Sequence, residues 1–302
     1  MQPETSAPDH TFGLSLRIAV SVAAPDAELQ AYAQALAAEL SLTLAARDAE
    51  GFDLLLVVAE HGLELRQAGG TMTGPLRVKF PSKSGAHPKA SLSRRQPIAL
   101  AVGLKRHRPT VVDATAGLGQ DAWLLACLGC TVTLVERSPV LGAMLRDALE
   151  RAAADRVLGV VIRDRIKLIV GDAREVLTRL PVGEAPEVVY LDPMFPPRKK
   201  AALPKKEMRI LRRLVGDDPD AGELLEVARR VARGRVVVKR TLRTPPLAPG
   251  VALSYKGKIA RYDVYLARGS GFPHDVVADK HHQGMLDQNS AMSRMAATER
   301  DL

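Results

Sequence analysis

Val111-Val112-Asp113-Ala114-Thr115-Ala116-Gly117-Leu118-Gly119 is the stretch on which the fold turns: a β-branched run that halts at an acid and enters a glycine turn. Such a run reads as a buried parallel strand, and the glycines after it let the backbone approach a ligand with no Cβ in the way. A second stretch repeats the plan. Val188-Val189-Tyr190-Leu191-Asp192-Pro193-Met194-Phe195-Pro196 is again a strand that stops at an acid, here followed by a proline-flanked aromatic. In an open α/β sheet both would end on one carboxyl edge, where ligands bind. The first suits a nucleotide-like cofactor and the second the presentation of a planar amine, so the pair points to methyl transfer onto a base.

Outward from these stretches the pattern alternates. Strands are expected at 110–115, 131–136, 166–171, 187–192 and 235–239, with helices at 119–128, 139–154, 173–180, 198–215 and 220–233. Two last strands near 251–256 and 262–267 flank Gly257-Lys258 and read as an antiparallel hairpin. This spacing predicts a Rossmann-like, seven-stranded α/β sheet with helices on both faces. Ahead of it, strands at 14–22, 52–58, 62–67 and 75–80 and a helix at 26–40 make a small α/β module. The expected organisation is therefore an N-terminal module over 1–80, a basic linker or substrate-facing loop over 81–98, the main domain over 99–268, and a polar, aperiodic tail over 269–302 that reads as disordered.

Bulk properties narrow the class. The 302 residues are 46% hydrophobic and 25% charged, an ordinary globular balance. No apolar run approaches a membrane span, and the N-terminus lacks the basic flank and apolar stretch of a secretion signal, so a soluble cytoplasmic protein is expected. The net charge of +9 favours a polyanionic partner only if it is clustered. It is: between Arg198 and Arg213 stand Arg198, Lys199, Lys200, Lys205, Lys206, Arg209, Arg212 and Arg213 against the single acid Glu207. With Lys239 and Arg240 at the end of a strand, this segment is expected to neutralise RNA phosphates beside the catalytic loop; a plain solvated helix face is the alternative. Cys127 and Cys130 lack a second ligand pair for zinc and sit at the wrong end of a helix for a redox motif, so they read as small buried residues, and no metal is expected.

The cofactor reading has a rival. Gly117-x-Gly119 with Ala122 completes a dinucleotide fingerprint, and Glu136 ends the next strand 19 residues after Gly117, where an acid can accept ribose hydroxyls. On that fingerprint alone NAD competes with S-adenosylmethionine. Three features tilt away from NAD. Asp113 precedes the turn, where it can face the ammonium of a methionine moiety but would repel a pyrophosphate. Asp172 ends the third strand, where it can accept from an adenine amino group. Asp192-Pro193-Met194-Phe195 follows the fourth.

That tetrapeptide carries the chemistry. An exocyclic base amine is a poor nucleophile because its lone pair is delocalised into the ring. Acceptors on its N–H groups draw the nitrogen toward tetrahedral geometry and free the pair for attack on a sulfonium methyl. Asp192 offers a carboxylate and Pro193 a carbonyl, while Phe195 can stack on the base. An Asp-Pro turn with a buried Phe is the plain alternative.

Asp113-Ala-Thr-Ala-Gly-Leu-Gly119, Glu136-Arg137, Val188 to Pro196, Lys205-Lys-Glu-Met-Arg209 and Arg235-Val-Val-Val-Lys-Arg240 together resemble the ribosomal RNA small subunit methyltransferase J family over about residues 100–268. The resemblance implies a class I methyltransferase sheet, S-adenosylmethionine as cofactor, and methylation of a guanosine N2 in 16S rRNA, free or in the small subunit. It also implies cofactor contacts at Gln120, Asp121, Glu136, Arg137, Asp172, Ala173 and Asp192. The chain departs from the family at Gln120, where Arg is usual, and at Asp172-Ala173, where a Ser pair is usual. Another amino-methyltransferase acting on rRNA or DNA, such as an N6-adenine enzyme, shares this loop chemistry and stays open at this point. So do an NAD-dependent oxidoreductase and a non-enzymatic RNA-binding protein.

Overall fold

The structure, a computed structural model, describes residues 16–69, 74–80, 93–105, 107–156, 158–194 and 206–268. Phe195, Arg198, Lys199, Lys200, Lys205, most of the 81–98 segment and the 269–302 tail lie outside the described residues, as does the side chain of Lys206.

Five strands come first. β1 (Ile18–Val22) leads through α1 (Ala27–Leu40) to β2 (Thr43–Leu44), and β3 (Leu54–Ala59), β4 (Gly62–Gln67) and β5 (Leu76–Arg77) follow. They form one sheet in the order β2-β1-β3-β4-β5, parallel around β1 and antiparallel from β3 onward. Asp26 starts α1 by accepting the amides of Glu28 and Leu29, both at 2.9 Å, which satisfies two donors the helix cannot pair internally. Every residue of β3 is buried, which accounts for its unbroken Leu-Leu-Leu-Val-Val run. The two-residue β2 is too short for any periodicity to signal it.

The second sheet holds the rest of the chain. After α2 (Pro97–Ala101), the elements are β6 (Thr110–Asp113), α3 (Gln120–Cys127), β7 (Thr131–Glu136), α4 (Pro139–Ala154), α5 (Leu158–Arg165), β8 (Ile166–Val170) and α6 (Ala173–Thr178). Then come β9 (Val188–Leu191), α7 (Lys206–Val215), α8 (Ala221–Val231), β10 (Arg235–Thr241), β11 (Leu253–Lys256) and β12 (Ala260–Leu266). The order is β11-β12-β10-β9-β6-β7-β8, with five parallel strands and the closing hairpin antiparallel. This is the seven-stranded sheet that the alternation predicts. The chain winds outward from β6 to β8, then returns to set β9 on the other side of β6. That reversal opens a crevice at the carboxyl ends of β6 and β9.

Local differences from the sequence reading have local causes. α5 interrupts the expected run between helix 139–154 and strand 166–171; its Val160-Val161-Ile162 core favours neither state strongly. The helix expected over 198–215 is described from Lys206. Pro97 begins α2 at a position where proline's missing N–H costs nothing. Cys127 and Cys130 form no disulfide, and burial pushes Cys130 up to about 12, which leaves it inert at neutral pH.

One apolar core joins the two sheets. Leu65 and Leu76 fall in the same cluster as Trp123, Leu134 and Leu145. Phe80, just after β5, packs on Trp123 with ring centroids 5.6 Å apart. Polar ties follow the same seam: the Leu63 amide donates to Asp147 on α4 at 3.0 Å, and Arg213 on α7 pairs with Asp53 at 2.6 Å. Among the described residues, no helix is long and apolar enough to cross a membrane.

Gly119 sits where this packing is tightest. Its φ is +70°, and a Cβ there would meet Leu134, Leu145 and Phe80, each at 3.2 Å. Gly119→Ala therefore combines left-handed strain with overpacking, and urea unfolding of the variant should register a loss of about 2–4 kcal/mol. An unchanged midpoint would show that the seam is looser than its distances indicate.

Candidate active site

Gly117 and Gly119 both adopt positive φ, for different reasons. Gly119 is pressed against the core, whereas a Cβ on Gly117 would find nothing nearer than Thr115 O at 3.8 Å. The open side of Gly117 lines a cleft of about 660 Å³, counted with the part open to solvent. Glu136, Arg137, Asp172, Ala173, Asp192 and Pro193 line the same cleft, so the glycine turn after β6 and the acidic loop after β9 share one cavity. Leu211 and Val215 of α7, Leu224 of α8, Val135 and Met194 form its apolar wall.

Backbone hydrogen bonds hold these loops in series. The Ala114 amide donates to Tyr190 O at 2.9 Å, and the Asp192 amide donates to Thr115 Oγ1 at 2.6 Å. On the other flank the Ala116 amide donates to Val135 O at 3.1 Å, and the Gly171 amide to Glu136 O at 2.8 Å. Three backbone–backbone bonds and the Thr115 hydroxyl thereby fix four strand ends relative to one another.

Glu136 is 5% exposed. Its carboxylate accepts the Gly117 amide at 2.9 Å and the Ser138 amide at 2.8 Å, one on each oxygen. Each oxygen keeps a lone pair for a further donor. Burial raises its pKa to about 7, against the lowering effect of those two amides. Arg137 pairs with Asp218 and Asp220 on the loop before α8. Asp218 also accepts the Met194 amide at 2.6 Å, and its own amide donates to Met194 O at 2.9 Å. Asp218 and Asp220 are thus part of the site, and sequence reading passes over them. Asp217-Asp218-Pro219-Asp220 reads locally as a turn, and nothing local says that it folds onto Met194.

Asp172 caps α6 through the Arg174 amide at 2.8 Å and pairs with the Arg174 guanidinium at 2.7 Å. The Arg174 side chain holds this carboxyl below its usual range. It lines the cleft, but as one half of an ion pair rather than as the free acceptor expected for an adenine.

Asp113 departs furthest from expectation. It is 2% exposed, accepts the Thr115 amide at 3.2 Å, and is not among the cleft-lining residues. Burial, and after it the Asp121 charge, push its carboxyl well above the usual range. Beneath the loop and outside the cleft lining, its carboxyl meets the turn through the Thr115 amide. Gln120 likewise leaves the cleft, its side-chain amide donating to Lys79 O at 2.9 Å. Asp121 faces inward, accepting the Tyr190 hydroxyl at 2.6 Å and Lys239 Nζ at 2.7 Å.

The basic residues also divide. Arg209 is exposed on α7, with no ion pair among the described residues. Arg212 pairs with Asp217 and Arg213 with Asp53. Lys239 points into the site: its Nζ lies 2.8 Å from Asp192 Oδ2 as well as 2.7 Å from Asp121. Among the described residues no group of three or more His, Cys, Asp or Glu could hold a metal ion.

The cleft as a whole is acidic. Five carboxylates line it (Glu136, Asp172, Asp192, Asp218, Asp220) against two guanidiniums, Arg137 and Arg174. An acid-rich cavity with an apolar wall suits a cationic ligand with a flat ring and disfavours a pyrophosphate.

Comparison with known proteins bears on this geometry. The SAM_MT family model of SAM-dependent methyltransferases matches residues 36–267. Ribosomal RNA small subunit methyltransferase J of Thioalkalivibrio sulfidiphilus is 50% identical over 254 residues, covering 83% of this chain and 98% of its own length. The protein of the same name from Pseudomonas fluorescens (strain Pf0-1) is 47% identical over 252 residues, covering 82% and 94%. Among solved structures, a SAM-dependent methyltransferase from Neisseria gonorrhoeae aligns with a TM-score of 0.63 at 33% identity, covering 83% of this chain and 96% of that one.

The Asp218 contacts make a direct prediction. Asp218→Ala strands the Met194 amide and removes one partner of Arg137, which should lower stability by about 1–3 kcal/mol in denaturant unfolding. Hydrogen exchange at the Met194 amide should accelerate in the same variant. An unaltered exchange rate there would mean that Asp218 does not hold the loop.

Proposed function

The chain belongs to the ribosomal RNA small subunit methyltransferase J family of SAM-dependent methyltransferases, and from that membership we infer that it methylates the exocyclic N2 of a guanosine in small-subunit rRNA. The observation that carries the reading is the single cleft shared by Gly117 and Asp192. Its cofactor is S-adenosylmethionine, which supplies an electrophilic sulfonium methyl group. The residues present fit it: a carboxylate-rich lining for a cation, an apolar wall for the adenine, and the lone pairs left on the buried Glu136 for ribose hydroxyls. We assign the cofactor to Gly117, Glu136, Ala173 and the Asp172–Arg174 pair. Asp113, Gln120 and Asp121 shape the loop from beneath.

The acceptor amine is assigned to Asp192 and the carbonyl of Pro193. Proline fixes φ between them. The loop is clamped at both ends, by Thr115 on the Asp192 amide and by Asp218 on the Met194 amide. A clamped acceptor pair keeps the amine in line for attack, the kind of positioning that makes a bimolecular step effectively unimolecular. As the nitrogen gains its methyl group it gives up one proton, and Asp192 is the acceptor within reach. Phe195 is assigned to stacking on the target base, and exposed Arg209 to a phosphate beside the cleft. Arg212 and Arg213 can reach phosphate only by leaving Asp217 and Asp53.

Asp192→Ala tests the assignment. Transfer of labelled methyl to small subunits from cells lacking the enzyme should fall by at least about 100-fold, with a far smaller change in S-adenosylhomocysteine affinity. A variant that methylates at the normal rate would remove Asp192 from the reaction, and a wild-type protein inactive on such subunits would remove the substrate.

Glu136 makes a pH-dependent prediction. Only the ionised carboxyl has its full set of acceptors for ribose hydroxyls, so cofactor binding favours the deprotonated form. Affinity for S-adenosylhomocysteine, read by calorimetry, should rise as pH increases through about 7. Glu136→Gln should weaken binding and flatten this dependence, since its amide N–H must oppose a backbone amide. A flat wild-type profile would contradict the assignment.

A further inference from the structure

We propose that Lys239 is the positioning residue of this site: by bridging Asp121 and Asp192 it fixes which oxygen of the Asp192 carboxylate faces the acceptor amine. The inference rests on the reading above that Asp192 meets that amine.

Strand register brings the residues together. Val238 of β10 pairs with Leu191 of β9, so Lys239 and Asp192 are the next residues along two parallel neighbours. Lys239 Nζ lies 2.8 Å from Oδ2 of Asp192, and no partner of Oδ1 occurs among the described residues. The bridge thus occupies one oxygen and leaves the other to the cleft that Asp192 lines, where 42% of its side chain is exposed. A carboxylate without such a bridge would rotate about its last torsion, because that torsion is broad and roughly two-fold.

The far end of the bridge is also fixed. Asp121 Oδ2 accepts from Lys239 at 2.7 Å and from the Tyr190 hydroxyl at 2.6 Å. Tyr190 is wholly buried in β9, two residues before Asp192. The relay Tyr190–Asp121–Lys239–Asp192 therefore starts on β9, passes through α3 and β10, and ends on the residue that follows β9. Only 27% of the Lys239 side chain is exposed, and two carboxylates already share its charge, which leaves it a poor phosphate ligand.

The charges around Asp192 give the bridge a second consequence. Asp113 lies behind it on β6, Asp121 on α3, Tyr190 beside it on β9, Tyr262 on β12 opposite Lys239, and Asp218 on the loop before α8. Burial raises the Asp192 pKa, Lys239 opposes that rise, and the Asp121 and Asp218 charges add to it. Lys239 in turn is held above its usual range by Asp192 and Asp121, although burial alone would lower it. Removing the lysine and removing the neighbouring carboxylate must therefore shift Asp192 in opposite directions.

Two measurements on the full chain test this. The first needs no RNA: the Asp192 carboxyl carbon is titrated by NMR in wild type, Lys239→Met, Lys239→Arg and Asp121→Asn. Its midpoint should move up in Lys239→Met, stay near wild type in Lys239→Arg and move down in Asp121→Asn. Opposite shifts are not a signature of general unfolding. The second is methyl transfer to small subunits from cells lacking the enzyme. There, Lys239→Met should lower kcat about 100-fold, with S-adenosylhomocysteine affinity within about threefold of wild type (a gap of roughly 0.7 kcal/mol) and most of the rate recovered in Lys239→Arg. An Asp192 midpoint unmoved by Lys239→Met, or shifts of the same sign in Lys239→Met and Asp121→Asn, would overturn the inference. So would an active wild type whose Lys239→Met variant keeps its kcat. Wild-type inactivity on rRNA would strike the substrate reading, while the titration would still decide the bridge.

Discussion

The pairing of β6 with β9 is the contact on which the site depends. These strands are far apart in sequence and meet only because the chain reverses its winding between them. Once they pair, the Ala114 amide finds Tyr190 O and the Asp192 amide finds Thr115 Oγ1. Those two bonds convert a pair of flexible strand exits into one rigid floor. Each bond is worth only about 0.5–1.5 kcal/mol net; their value lies in fixing the cofactor turn and the acceptor loop in one frame.

That floor gathers carboxylates that would otherwise repel. The protein deals with each differently. Asp113 is sunk beneath the loop, where burial pushes its carboxyl above the usual range. Asp172 is paired with Arg174, and Asp218 and Asp220 share Arg137. Glu136 is satisfied by two amides and poised near neutrality. Asp192 is bridged by Lys239. The result is a cavity lined by more acids than bases whose individual acids are all accommodated, a setting that favours a cationic ligand.

The N-terminal sheet acts as a buttress. Phe80 and Leu65 continue the core that holds Gly119, and Asp53 anchors α7, whose Leu211 and Val215 form a wall of the cleft. The first sheet thus sets the position of the second sheet's site without lining it. Arg213 illustrates the cost of reading charge in isolation: it belongs to a basic run, yet its guanidinium is spent on holding the two sheets together.

Much of this was legible in the chain because local patterns are physically self-sufficient. Continuous β-branched runs announce central strands, apolar positions at helical spacing announce helices such as the one over 26–40, and a glycine turn after a strand announces a ligand loop whatever surrounds it. Asp192, Glu136 and Gly117 could be named for that reason. Side-chain partnership obeys no local rule. Whether Asp113 faces the cavity or the core, whether Lys239 meets phosphate or a carboxylate, and whether Asp218 is surface or site are settled by which strand ends become neighbours. Sequence periodicity places a residue on an element; only the crossing of elements gives it a counter-charge, and at these distances the counter-charge defines its chemistry.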